Sequence, residues 1–110
     1  MAAWFEINKS KNGQFHFVLK ASNGETILSS EQYVTKRSAK NGIASVQTNC
    51  TNLDRYEKKE SKNGKAFFNL RAGNNQVIGT SELYSSVQKR DAGVASVKTN
   101  GKTKTVKDNT

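Results

Sequence analysis

The chain writes one stretch twice. Ser10-Lys11-Asn12-Gly13 returns as Ser61-Lys62-Asn63-Gly64, and the offset of 51 holds without a gap from Phe5/Tyr56 to Cys50/Gly101. About 19 of about 46 aligned positions are identical, so this is a tandem repeat. A copy near 50 residues buries too little apolar surface to stand securely alone. The two copies, about 4–54 and 55–107, are therefore expected to share one core in a single domain spanning 1–110. Only 34% of the residues are hydrophobic, so apolar side chains must sit on one face of each element.

Within each copy the periodicity changes once. Phe5 and Ile7 alternate with Glu6 and Asn8, the pattern of a half-buried strand. Asn12-Gly13 follows, a turn pair that tolerates positive φ. Phe15, Phe17, Leu19 and Ala21 then recur at period two, with His16, Val18 and Lys20 on the other side. Asn23-Gly24 turns the chain again, and Ile27 points inward from a third strand. Three strands and two tight turns make an antiparallel meander. Ala39, Ile43, Val46 and Cys50 instead form one helical stripe. Thr35 is its expected N-cap, and Ser85 with Gln88 reads as a capping box in the second copy. Gly42 and Gly93 raise the competing reading of a helix that ends at glycine. The stripe continues past both, which favours helices over about 36–49 and 86–99. A short strand is expected after each helix, and Lys102–Lys107 alternates weakly as the last. Asn49 and Asn100 read as C-cap or turn residues.

These motifs carry a resemblance. Phe17, Leu19, Lys20, Ala21, Asn23, Gly24, Ile27, Ser30, Glu31, Tyr33, Gly42, Ile43, Ser45, Val46 and Asn49 resemble the pattern of the YegP-like family of small bacterial proteins. The second copy matches through Phe68, Leu70, Ala72, Asn74, Ile78, Ser81, Glu82, Tyr84, Gly93, Ser96, Val97 and Asn100. It departs at Arg71, Val94 and Asn75, the last standing where the pattern has glycine. The resemblance implies an α+β fold of two tandem β(3)-α-β repeats. These would form one shared, mostly antiparallel sheet with two helices on one face, in pseudo-twofold symmetry. The last strand of each unit would be exchanged between units. The expected state is a monomer that contains its own pseudo-dimer. The family's activity is uncharacterised, so the resemblance leaves function open.

The charge narrows the partners. Eighteen Lys/Arg against nine Asp/Glu leave +9, which favours nucleic acid or another polyanion and also suits an ordinary lysine-rich surface. Cys50 is the one cysteine, so no internal disulfide can form. Met1–Glu6 lacks the pattern of a leader, and no window approaches a membrane span, so the expected setting is cytoplasmic with no membrane partner. His16 is the single histidine, too little for a metal site, and no cofactor or catalytic set is read. Cys50, at the end of an apolar stripe, reads as a buried structural thiol.

Two polar constellations remain. Ser30-Glu31-x-Tyr33 and Ser81-Glu82-x-Tyr84 either place paired carboxylates, Glu31 and Glu82, for an enzyme, or hydrogen-bond the strand-to-helix junction. The second constellation is the sheet face away from the helices. There His16, Lys20, Phe67, Asn69 and Arg71 lie with Val18, and Trp4, Glu6 and Arg55 share their parity. That face mixes aromatic and basic groups, as sheets that stack single-stranded bases do, or is an ordinary solvated face. A protein-interaction module using the face or a sheet edge is the alternative to nucleic acid.

Overall fold

Each tight turn stands where a residue that accepts positive φ allows it. In this computed structural model, which describes residues 3–110, Gly13, Gly24 and Gly64 adopt φ +82°, +86° and +81°. Asn75, the departure from glycine, takes φ +69° and closes the same turn. Met1 and Ala2, the start of the stretch read as lacking a leader, lie outside the described residues.

The turns join β1 (Trp4–Lys9), β2 (Phe15–Lys20) and β3 (Thr26–Ser30), and in the second copy β4 (Tyr56–Glu60), β5 (Ala66–Arg71) and β6 (Val77–Thr80). Helices α1 (Lys36–Asn49) and α2 (Val87–Asn100) follow the two meanders, and β7 (Val106–Asp108) ends the chain. One seven-stranded sheet results, in the order β4-β5-β6-β3-β2-β1-β7. The meanders meet antiparallel at β3 and β6, so the pseudo-twofold axis runs between them. Among the described residues only β7 is parallel to its neighbour, lying beside β1 with Phe5 opposite Val106 and Ile7 opposite Asp108.

The predicted α+β architecture is the one observed, with one asymmetry. The first copy has no strand of its own after the helix. Leu53–Arg55 forms a 3-10 turn there, capped by Asn52, and runs directly into β4. Strand exchange is thus one-sided: β7 of the second copy covers β1 of the first, and β4 is left as an edge. Arg55 consequently sits in the turn and not on the sheet face expected for it.

Both helices pass through their glycines. A Cβ on Gly42 would lie 2.6 Å from Tyr33 Oη and 2.7 Å from the Phe17 ring, and one on Gly93 would lie 2.6 Å from Tyr84 Oη. The glycine costs the helix roughly 1 kcal/mol of propensity and makes room for a tyrosine ring between helix and sheet. Thr35 caps α1 by accepting from Ser38 N–H at 3.0 Å, as expected. The cap of α2 is Ser86, accepting from Lys89 N–H at 3.1 Å, and not Ser85. Ser86 is the residue 51 positions after Thr35. Asn49 and Asn100 are the last helical residues and not caps, with side chains that donate back to Ser45 and Ser96.

One core unites both copies: Phe5, Ile7, Phe17 and Leu19 with Phe68, Leu70 and Ile78, beneath Ile43, Val46, Val94 and Val97. A bulge opposite Leu19/Lys20 lets adjacent Ile27 and Leu28 both enter it. The helices lean across the axis, α1 reaching β5 and β6 and α2 reaching β3. Near the axis a residue meets its own repeat equivalent. Two large side chains would collide there, and two small ones would leave a void. The copies have diverged accordingly. Leu28 fills the space over Gly79, whose Cβ would lie 2.9 Å from Leu28 Cγ, and Cys50 fills that over Gly101, whose Cβ would lie 2.7 Å from Cys50 Cβ. No helix among the described residues is long and apolar enough to cross a membrane.

Candidate functional site

The repeated Ser-Glu-x-Tyr motif builds the strand-to-helix junction. Where the β2·β3 ladder stops, Ser30 Oγ accepts from Phe17 N–H at 2.8 Å and donates to the Glu31 carbonyl at 2.8 Å. Ser81 repeats this with Phe68 N–H at 3.0 Å and the Glu82 carbonyl at 2.9 Å. Tyr33 exchanges backbone bonds with Phe15, and Tyr84 with Ala66, which seats each ring over the helix glycine. The Tyr33 ring also stacks on Phe17, centroids 6.3 Å apart. Burial raises the pKa of both tyrosines, with Glu31 and Glu82 adding smaller electrostatic contributions. Glu31 and Glu82 themselves are exposed. The motif's serine and tyrosine are thus accounted for by backbone satisfaction and packing.

The open sheet face is read from cross-strand register. Lys107, Glu6, Val18, Ser29, Thr80, Asn69 and Glu57 form one row across all seven strands. Trp4 stands opposite Lys20, Asn8 opposite His16, and Phe67 opposite Lys59. The helices cover none of this face.

Its predicted residues divide into two groups. Asn69 and Arg71 are engaged internally. Asn69 is 9% exposed; its amide accepts from Thr80 Oγ1 at 2.7 Å and donates to Glu57 Oε1 at 3.3 Å. Arg71 grips the same carboxylate oxygen through Nη2 at 2.7 Å and Nε at 3.2 Å, and donates from Nη1 to the Asn75 carbonyl at 2.6 Å. Hydrogen bonds from Arg71, then from Asn69, hold the Glu57 carboxyl below the usual carboxylate range. His16, Lys20 and Phe67 are half-buried and keep part of their surface in solvent. His16 Nδ1 lies 3.2 Å from Ser10 Oγ.

Trp4 completes the face. Its Nε1–H donates to Glu6 Oε2 at 2.7 Å, and Lys107 Nζ rides 4.4 Å above its ring. Sequence parity found Trp4 and Glu6. Lys107 escaped it, because its place depends on β7 crossing to the other copy. No group of three or more metal-ligating side chains is gathered among the described residues.

A family model described as a domain of unknown function, DUF1508, matches residues 10–57 and again 61–108. The chain is 59% identical over 110 residues to the Escherichia coli K12 protein called UPF0339 protein YegP, covering 100% of both. A solution NMR structure of the E. coli protein of unknown function YegP superposes with a TM-score of 0.94 at 59% identity, over 99% of this chain and 94% of that one. The solution NMR structure of a Shewanella oneidensis UPF0339 protein gives 0.93 at 57% identity, over 98% and 92%.

Proposed function

The chain belongs to the family described as a domain of unknown function, DUF1508, in a two-copy form, and on that premise we propose that it is a non-enzymatic binding module for nucleic acid or another polyanion. The open sheet face is its working surface. One observation carries the reading: Trp4, His16 and Phe67 are only partly buried and share the sheet face away from the helices. Among the described residues, Lys20 and Lys107 have no carboxylate partner within ion-pair distance. Bases stack on rings, and lysines neutralise phosphates. Arg71 and Asn69 lie on the same face, and their bonds to Glu57 hold it in shape.

The test is a titration with oligo-dT and with heparin, a polyanion without bases, followed by isothermal calorimetry. Binding should weaken with salt, with a log–log slope near −0.7 for each strand phosphate contacted. Trp4→Ala and Phe67→Ala should weaken oligo-dT more than heparin. Lys20→Glu should weaken both. Absence of binding at low salt, or equal affinity in all three variants, would overturn the reading.

A second reading, a protein-interaction module, is favoured by the free outer edge of β4. That edge is guarded by Lys58, Lys59 and Glu60, which discourages casual strand addition.

A further inference from the structure

The two copies differ in chemistry where β7 is present on one side and missing on the other. Beneath β7, on the helix side of the sheet, Ile7, Ile43, Ala44 and Val106 line a half-open cavity of about 420 Å³ with Lys40, Gln47 and Asp108 at its polar rim. The equivalent place in the second copy holds Lys58 for Ile7 and Asp91 for Lys40. There Lys58 Nζ and Asp91 Oδ1 lie 3.3 Å apart, and no strand roofs them. One copy satisfies the position with an internal ion pair. The other offers an apolar floor and an ammonium that joins no ion pair among the described residues.

The cavity is also held in shape. Gln47 Nε2 donates to the Thr103 carbonyl at 2.8 Å, pinning the chain that leads into β7. Phe5 N–H donates to the Thr105 carbonyl, and Asn109 N–H to that of Ile7, each at 2.9 Å. Asp108, the one acid at the rim, is already answered by Lys36. Lys40 thus leaves the site with one unanswered positive charge. Val106 keeps 41% of its surface exposed, a large apolar group left uncovered at the mouth. A volume of this order, mostly apolar with few convergent polar groups, is the usual form of a small-ligand site.

We propose that this cavity binds a small amphipathic carboxylate, its head on Lys40 and its apolar body against Ala44 and Val106, over the buried Ile7 and Ile43. The site lies on the opposite side of the sheet from the polyanion face and does not depend on it.

Three probes of one chain length separate the contributions: octanoate, octanol and octylammonium, each titrated into isotope-labelled protein and followed by amide chemical shifts. Octanoate should shift the amides of Ile7, Lys40, Ile43, Ala44 and Val106 and bind tightest of the three. Lys40→Glu should weaken octanoate about three- to tenfold, the scale of one surface charge contact, and leave octanol nearly unchanged. Ala44 is exposed at the rim, so Ala44→Trp should plug the site and abolish octanoate shifts while the folded spectrum persists. Lys20→Glu, on the other face, should change nothing. Octylammonium binding as tightly as octanoate, undiminished affinity in Lys40→Glu or Ala44→Trp, or shifts confined to the open sheet face would each overturn the proposal.

Discussion

At the residue scale, Gly42 and Tyr33 act as one unit. A methyl at Gly42 meets the Tyr33 hydroxyl at 2.6 Å and the Phe17 ring at 2.7 Å, so both rings must give way or the helix must move. Gly42→Ala should cost about 1–3 kcal/mol in urea unfolding, although alanine is the better helix former. In a Tyr33→Ala background the same change should cost less, with the Phe17 contact still to be relieved, a coupling that a double-mutant cycle would read. Equal costs in both backgrounds would disprove the docking role of the glycine. Tyr56 adds a pH dependence. Burial, with a smaller contribution from Cys50, raises its phenol above the ordinary 10.0, and its hydroxyl donates to the Cys50 carbonyl at 2.6 Å. Burial also raises the Tyr33, Tyr84 and Cys50 groups. A raised pKa means the folded state holds the proton more tightly. This contribution is complete below the unfolded values, 9.0 for the thiol and 10.0 for the phenols, and is lost as pH climbs above them. Stability should therefore fall on the alkaline side, and Tyr56→Phe should flatten that slope. An unchanged slope in Tyr56→Phe would assign the alkaline loss to other groups.

At the element scale, the N-caps separate two local signals. Ser86→Ala should cost about 1 kcal/mol, as at other serine caps, and Ser85→Ala should be close to neutral, measured by thermal unfolding. The reverse order would return the cap to Ser85. The capping-box pattern pointed to Ser85 because it weighs neighbours in sequence. The repeat register pointed to Ser86 because it compares equal structural positions. Strands, turns and helix stripes were legible because each depends on residues a few positions apart, and the second copy repeated most of the pattern. The Arg71–Glu57 pairing, the burial of Asn69 and the cavity beneath β7 were not legible. Each depends on which strands become neighbours across the sheet. The 3-10 turn at Leu53–Arg55 also escaped, since repeat equivalence placed a strand there and the short join between copies required a turn.

At the scale of the whole molecule, both copies contribute to one core and each helix reaches across to the other copy's strands. Neither half can keep its apolar side chains covered when the other leaves. Unfolding should be a single cooperative transition, with calorimetric and van't Hoff enthalpies in agreement, and sedimentation should report a monomer. Chain cleavage near Asn52 should give fragments that are unfolded apart and pair when mixed. Two separate transitions, or a half that stays folded alone, would make the copies independent domains. The parallel pair β1·β7 has one more consequence. The first and last strands of the chain lie side by side and point the same way. Tension applied to the two ends slides these strands past each other along their length, so their hydrogen bonds must yield together and not one after another. Forced rupture is governed by the unfolding barrier and not by equilibrium stability. Stretched between its termini in a single-molecule experiment, the protein should resist as one sheared unit and give a single high-force event. Pulled from the N-terminus and Asn100, which leaves β7 out of the load path, it should open at markedly lower force.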